Sequence, residues 1–130
     1  MVGVVIVSHS QKVAEGIREM ALQMSAPEQK IIAAGGMADG GIGTDAFRVS
    51  EAIVSADTGD GVAIMVDLGS AVLSTETAFE FLDEELRSKV QIADAPILEG
   101  AISAVVEASL GSNLAAVVAT AEGARTLNKC

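Results

Sequence analysis

The sequence predicts an α/β fold with three layers: a four-stranded parallel sheet in the order 2-1-3-4, with helices on both faces. Three observations predict it. Short β-branched runs alternate with stretches of helical spacing along the 130 residues, the pattern that right-handed crossovers turn into a parallel sheet. Two of the runs, Val4–Val7 and Val62–Val66, are apolar throughout, as strands covered on both faces are. The short runs Lys30–Ala34 and Val90–Ala93 then fall to the edges, which makes strands 1 and 3 central neighbours.

Each element has a local reason. Val2–Ser10 is an apolar strand that stops abruptly at Ser8-His9-Ser10. Gln11–Met24 follows with Val13, Ile17, Met20 and Met24 on one helical side, and Ser10 is its expected N-cap. Ala26-Pro27-Glu28 breaks the pattern before strand 2. Gly35–Thr44 is a long loop with five glycines, and Thr44 or Asp45 caps a second helix to about Ser55. Asp57-Thr58-Gly59-Asp60-Gly61 reads as a turn. Strand 3 ends in Asp67-Leu68-Gly69-Ser70, and a third helix is expected from about Ala71 to Arg87. Pro96 starts a fourth, Ile97–Leu110. Gly111 ends it, and Ser112 is the expected cap of a fifth, reaching about Leu127.

The composition narrows the function. Residues 1–130 make one domain by length, and half of them are hydrophobic. No Trp or Tyr is present and only three Phe, so the packing is aliphatic and close. A net charge of −10 argues against nucleic acid, whose phosphates require a basic patch. It also argues against anionic membrane surfaces. No apolar run reaches the ~18 residues of a membrane span, and no basic flank marks a signal peptide. The one cysteine, Cys130, has no internal partner. These features fit a soluble cytoplasmic protein, with no cofactor or metal expected.

His9 is the only histidine. It stands between a central strand and a helix N-terminus, on the sheet edge where open α/β folds gather ligands. Asp67 occupies the matching end of strand 3. A carboxylate on one ring nitrogen fixes the tautomer and makes the other a better nucleophile. Glycines of the loop after strand 2 bring backbone N–H groups close to a ligand. The loop is not a P-loop, since no Gly-Lys-Ser/Thr follows. Ser10, Gly35, Gly36, Thr44 and Ser70 are the expected phosphate-binding positions around His9, the nucleophile, and Asp67, which orients it. Such a set suits a transient phosphohistidine. With one His and a terminal Cys there is no metal cluster, and neither Ser8 nor Ser10 sits on a Gly-x-Ser-x-Gly elbow.

Four segments in this order carry a resemblance: VIVSHS (Val5–Ser10), GGMADGGIGTD (Gly35–Asp45), VDLGSA (Val66–Ala71) and APILEGA (Ala95–Ala101). With them the whole chain resembles the mannose-type EIIA family of the bacterial phosphoenolpyruvate phosphotransferase system (PTS), and within it the branch that serves dihydroxyacetone kinase. The resemblance implies a phosphotransferase subunit, usually a homodimer. The histidine matching His9 takes a phosphoryl group from the carrier HPr. It passes the group to ADP held on the partner DhaL, for phosphorylation of dihydroxyacetone carried by DhaK. Asp67 matches the carboxylate beside the histidine; if it takes Nδ1, the phosphoryl group belongs on Nε2.

Sugar-transport members typically carry Gly-Gly-Ser/Thr-Pro shortly after the aspartate, where this chain has Leu68-Gly69-Ser70-Ala71. The alternatives are an EIIA component feeding a sugar permease, and a regulatory module controlled by phosphorylation. Some members of the branch continue into HPr-like and enzyme-I-like domains, so 130 residues imply a single-domain form or part of a longer one. Self-association is expected through Ala101–Ala108 and Leu114–Ala124, or along the edge of strand 4.

Overall fold

A computed structural model describes residues 1–130. Its elements run β1 (Gly3–Ser8), α1 (Gln11–Leu22), β2 (Ile31–Gly35), α2 (Ala46–Ala56), β3 (Val62–Val66), α3 (Gly69–Phe79), α4 (Glu84–Arg87), β4 (Val90–Ile92), α5 (Ile97–Ser109) and α6 (Leu114–Gly123). All strand pairs are parallel, and the order is β2-β1-β3-β4. The predicted sheet is the observed one.

Strand parity assigns the two cores. Val2, Val4 and Ile6 face α1, α5 and α6, with Ala63 and Met65 of β3 beside them. Val5 and Val7 face α2, α3 and α4, with Val62, Ile64 and Val66. All six residues of β1 are buried, which explains why its sequence has no polar alternation.

Two boundaries and one helix face differ from expectation, each for a physical reason. The third helix stops at Phe79, and a turn separates it from α4. Asp83 caps α4 by accepting from the Leu86 amide at 2.8 Å, and the break lets Leu82 and Leu86 reach the core while Phe81 stays exposed. The cap of α6 is Asn113, which accepts from the Ala116 amide at 2.9 Å; the Ser112 hydroxyl is turned to Glu107. Of the two caps expected for α2, Asp45 is the one used, accepting from the Phe47 amide at 2.9 Å. On α1 the inward residues are Ala14, Ile17 and Ala21, whereas Val13, Met20 and Met24 are exposed.

The apolar faces expected to support self-association are largely used inside the chain. Ala101, Ala104, Val105 and Ala108 of α5 and Val117, Val118 and Ala121 of α6 belong to one buried cluster. Of the expected routes to a second copy, the three-residue edge strand β4 remains open. No helix is long and apolar enough to cross a membrane.

Candidate active site

Parallel register sets the site's position. Val7 stands opposite Val66, and Ser8 opposite Gly35. The ends of β2, β1 and β3 therefore lie side by side on the carboxyl rim. His9 leaves β1 there, and Ser10 caps α1 by accepting from the Val13 amide at 3.3 Å.

Asp67 organises this rim. Its Oδ1 faces His9 Nδ1 at 2.9 Å and accepts from the Leu68 amide at 2.8 Å. Its Oδ2 accepts from the Ser8 hydroxyl at 2.9 Å and the His9 amide at 3.0 Å. Four donors thus converge on one carboxylate. Burial raises the Asp67 pKa; the hydrogen bonds from the His9 amide and ring, the Ser8 hydroxyl and the Leu68 amide outweigh it and hold the group below its usual value. An ionised carboxylate only accepts. The neutral imidazole therefore carries its hydrogen on Nδ1, and Nε2 presents a lone pair. Ser70 Oγ lies 2.6 Å from Nε2 and donates to it in this tautomer. The side chains of His9 and Asp67 are 19% and 18% exposed: sheltered enough to be held, open enough to be reached.

The low pKa gives a pH prediction. With the folded value below the unfolded one, Asp67 contributes stability above the unfolded pKa, about 3.9. That contribution is lost as pH falls through the lower folded value. Carbon-13 titration of the Asp67 carboxyl is expected to show its midpoint below about 3.9. A midpoint above that value would mean that burial dominates and that the four donors are weaker than their geometry implies.

Of the five expected phosphate contacts, Ser70 alone touches the ring nitrogen that Asp67 leaves free. The others are engaged by the fold. The Ser10 hydroxyl caps α1, and its N–H donates to Ser8 Oγ at 3.1 Å. The Gly36 N–H donates to the Ser8 carbonyl at 3.1 Å, in a left-handed conformation with φ of 72°. Gly35 permits a close approach of β2 to α1, since a Cβ there would lie 2.6 Å from Ser10 O. The Thr44 hydroxyl pairs with Ser74 Oγ at 2.5 Å. Sequence reasoning missed Ser8 and Ser74. A signal for Ser74 existed: it lies one turn below Ser70 on the same helix face. The wall of β1 gave none for Ser8, which reads as a strand-end polar residue.

The sheet order and a rim histidine oriented by a carboxylate define a class that the comparisons identify. The family model described as "PTS system fructose IIA component" (EIIA-man) matches residues 3–118, and the chain belongs to this family. Within it the chain stands with the DhaM subunits. It is 42% identical over 118 residues to the phosphoryl donor subunit DhaM of PEP-dependent dihydroxyacetone kinase 2 from Listeria innocua, covering 91% of this chain and 94% of that one. It is 46% identical over 121 residues to Escherichia coli DhaM, covering 91% of this chain and 26% of that longer protein. Among solved structures, the protein EF1359, of unknown function, superposes with a TM-score of 0.84 at 37% identity, covering 94% and 93% of the two chains. An EIIA component from Streptococcus agalactiae shares the fold, with a TM-score of 0.66 at 15% identity over 98% and 97% of the chains.

Proposed function

We propose that this chain is the phosphoryl donor subunit of a phosphoenolpyruvate-dependent dihydroxyacetone kinase, and that it carries the phosphoryl group on His9 Nε2. One observation carries the reading: Asp67 takes Nδ1 at 2.9 Å and leaves Nε2 as the nucleophile. The relatives named above as DhaM phosphoryl donor subunits support the substrate system.

The chemistry runs in two displacements. The Nε2 lone pair attacks the phosphorus of phospho-HPr; the new N–P bond forms as the donor's breaks, and the electron pair stays on the donor ring. With its hydrogen retained on Nδ1, the phosphorylated ring is cationic, and the Asp67 carboxylate stabilises it. Ser70 gives up Nε2, and its hydroxyl donates to a phosphoryl oxygen instead. The N-terminus of α3, which has no side-chain cap, adjoins Ser70 and favours the added negative charge. In the second displacement a β-phosphate oxygen of ADP on DhaL attacks the phosphorus. The electron pair returns to Nε2, and the ATP so formed serves dihydroxyacetone on DhaK.

The charge of the cavity beside the site supports placing the nucleotide on the partner. A cavity of about 390 Å³ between the ends of β3 and β4 has Asp67 and Asp94 in its wall and no lysine or arginine, a poor setting for a diphosphate. The reading includes cytoplasmic residence, residues 1–130 as one EIIA-like domain, and a homodimer formed along the β4 edge. A monomer in sedimentation at micromolar concentration would remove the dimer.

The deciding experiment is transfer from phosphoenolpyruvate through enzyme I and HPr, with His9→Ala as the blank, followed by DhaL with ADP. Acid-labile, base-stable label that discharges to DhaL is expected. Label released only to a sugar permease would move the protein to transport, label that neither discharges would make it a regulatory module, and no label would end the reading.

A further inference from the structure

The hydrogen bonds around His9 close into a circuit that returns to its own ring. The His9 carbonyl accepts from the Gly43 N–H at 2.8 Å. The next residue, Thr44, pairs its hydroxyl with Ser74 on α3 at 2.5 Å. One helical turn from Ser74, Ser70 meets His9 Nε2 at 2.6 Å. The loop after β2 thus grips the backbone of the nucleophile and the helix that carries Ser70 at two adjacent residues.

The grip adds to the packing of α3, whose larger inward side chains, Val72 and Phe79, are only partly buried at the margin of the core. Its buried residues are Ala71, Thr75 and Ala78, and no side chain caps its start. Small inward side chains let a helix lie close but resist rotation less than long interlocking ones. Ser70 itself is exposed, so nothing packs around it to hold its distance from the ring. The loop, by contrast, is tied at several points. The Met37 carbonyl accepts from Arg48 Nη1 at 3.0 Å, the Met37 amide donates to Gly41 O at 2.9 Å, and the Gly36 amide reaches Ser8 O.

We propose that Thr44 and Ser74 are a positioning pair: their hydrogen bond locks α3 against the loop and so sets the Ser70–Nε2 contact. Neither hydroxyl bonds to the His9 ring itself, whose Nε2 meets Ser70. This deepens the phosphohistidine reading and rests on it for the rate effect, although the geometric effect on the ring does not.

The test uses the intact protein and its single histidine. Nitrogen-15 resonances of the His9 ring are recorded in wild type, Thr44→Val, Ser74→Ala, the double variant and Ser74→Thr, and each is phosphorylated with phosphoramidate, which requires no protein donor. In Thr44→Val and Ser74→Ala the Nε2 resonance is expected to move towards that of an unbonded ring nitrogen while Nδ1 stays protonated. The labelling rate falls about 10-fold, the scale seen when an outer hydrogen-bond partner is removed. The double variant is no worse than either single one, because one bond is lost in all three. Ser74→Thr restores both signals.

An unmoved Nε2 resonance and unchanged labelling in folded Thr44→Val and Ser74→Ala would overturn the proposal. Additive losses would overturn the pairing. Wild type that takes no phosphate would end the phosphohistidine reading, and the Nε2 resonance would still decide for or against the pair.

Discussion

Asp67→Asn is expected to lower phosphoryl transfer onto His9 on the order of 10⁴-fold, the loss seen when an orienting aspartate becomes asparagine beside a catalytic histidine, with the fold retained. Asp67 receives four donors: the Ser8 hydroxyl, the His9 and Leu68 amides and the His9 ring. An asparagine has one oxygen to accept and an NH2 that only donates. If the NH2 takes the Oδ1 place, it meets His9 Nδ1 and selects the other tautomer. The hydrogen then sits on Nε2, the lone pair is gone, and Ser70 accepts where it formerly donated. If the NH2 takes the Oδ2 place, it opposes the His9 amide, donor against donor, and pushes the residue off the rim. Both orientations remove the nucleophile, one chemically and one by displacement. Phosphoramidate labelling and the His9 nitrogen-15 spectrum together check this. Labelling within a few-fold of wild type would show that Asp67 does not choose the tautomer.

The legible parts of this fold are those that hydrophobicity writes directly. Val4–Val7 and Val62–Val66 are buried on both faces, and their unbroken apolar character placed them at the centre of the sheet. With the strands ordered, His9 and Asp67 fell on one rim without further information. What the residues did not disclose was contact by small side chains. On α1 the spacing of Val13, Ile17, Met20 and Met24 implied one inward face, but of these only Ile17 is buried. Ala14 and Ala21 flank it on the side that faces the sheet. Nor did the residues disclose the contacts that the loop glycines make within the fold. Gly36 spends its N–H on Ser8, and Gly35 yields space to α1. The pairing of Thr44 with Ser74 lies further beyond reach: helical spacing sets Ser74 beside Ser70, but nothing in the sequence joins it to the loop.

Gly35→Ala is expected to be the most damaging single methyl group near the site. Its Cβ would lie 2.6 Å from Ser10 O, 2.8 Å from Gln11 Cα and 2.8 Å from Ala14 Cβ. Two of these are backbone atoms in the first turn of α1, where no rotamer change relieves the overlap. Gly35 has no positive φ, so the penalty comes from crowding alone. Overpacking of this kind costs about 1–3 kcal/mol, a fall in melting temperature on the order of 10 °C. The relief available is an outward shift of the start of α1, which carries Ser10 and tugs His9 away from Asp67 and Ser70. Transfer therefore falls with stability. Gly16→Ala on the same helix is the contrast: nothing lies within 4 Å of its Cβ. The gain in helix propensity there, roughly 0.5–1 kcal/mol, is expected to raise the melting temperature and leave labelling intact. Thermal melts and phosphoramidate labelling of the two variants, side by side, separate the readings. If Gly35→Ala melts and labels like wild type, the close approach of β2 to α1 does not hold the rim in place.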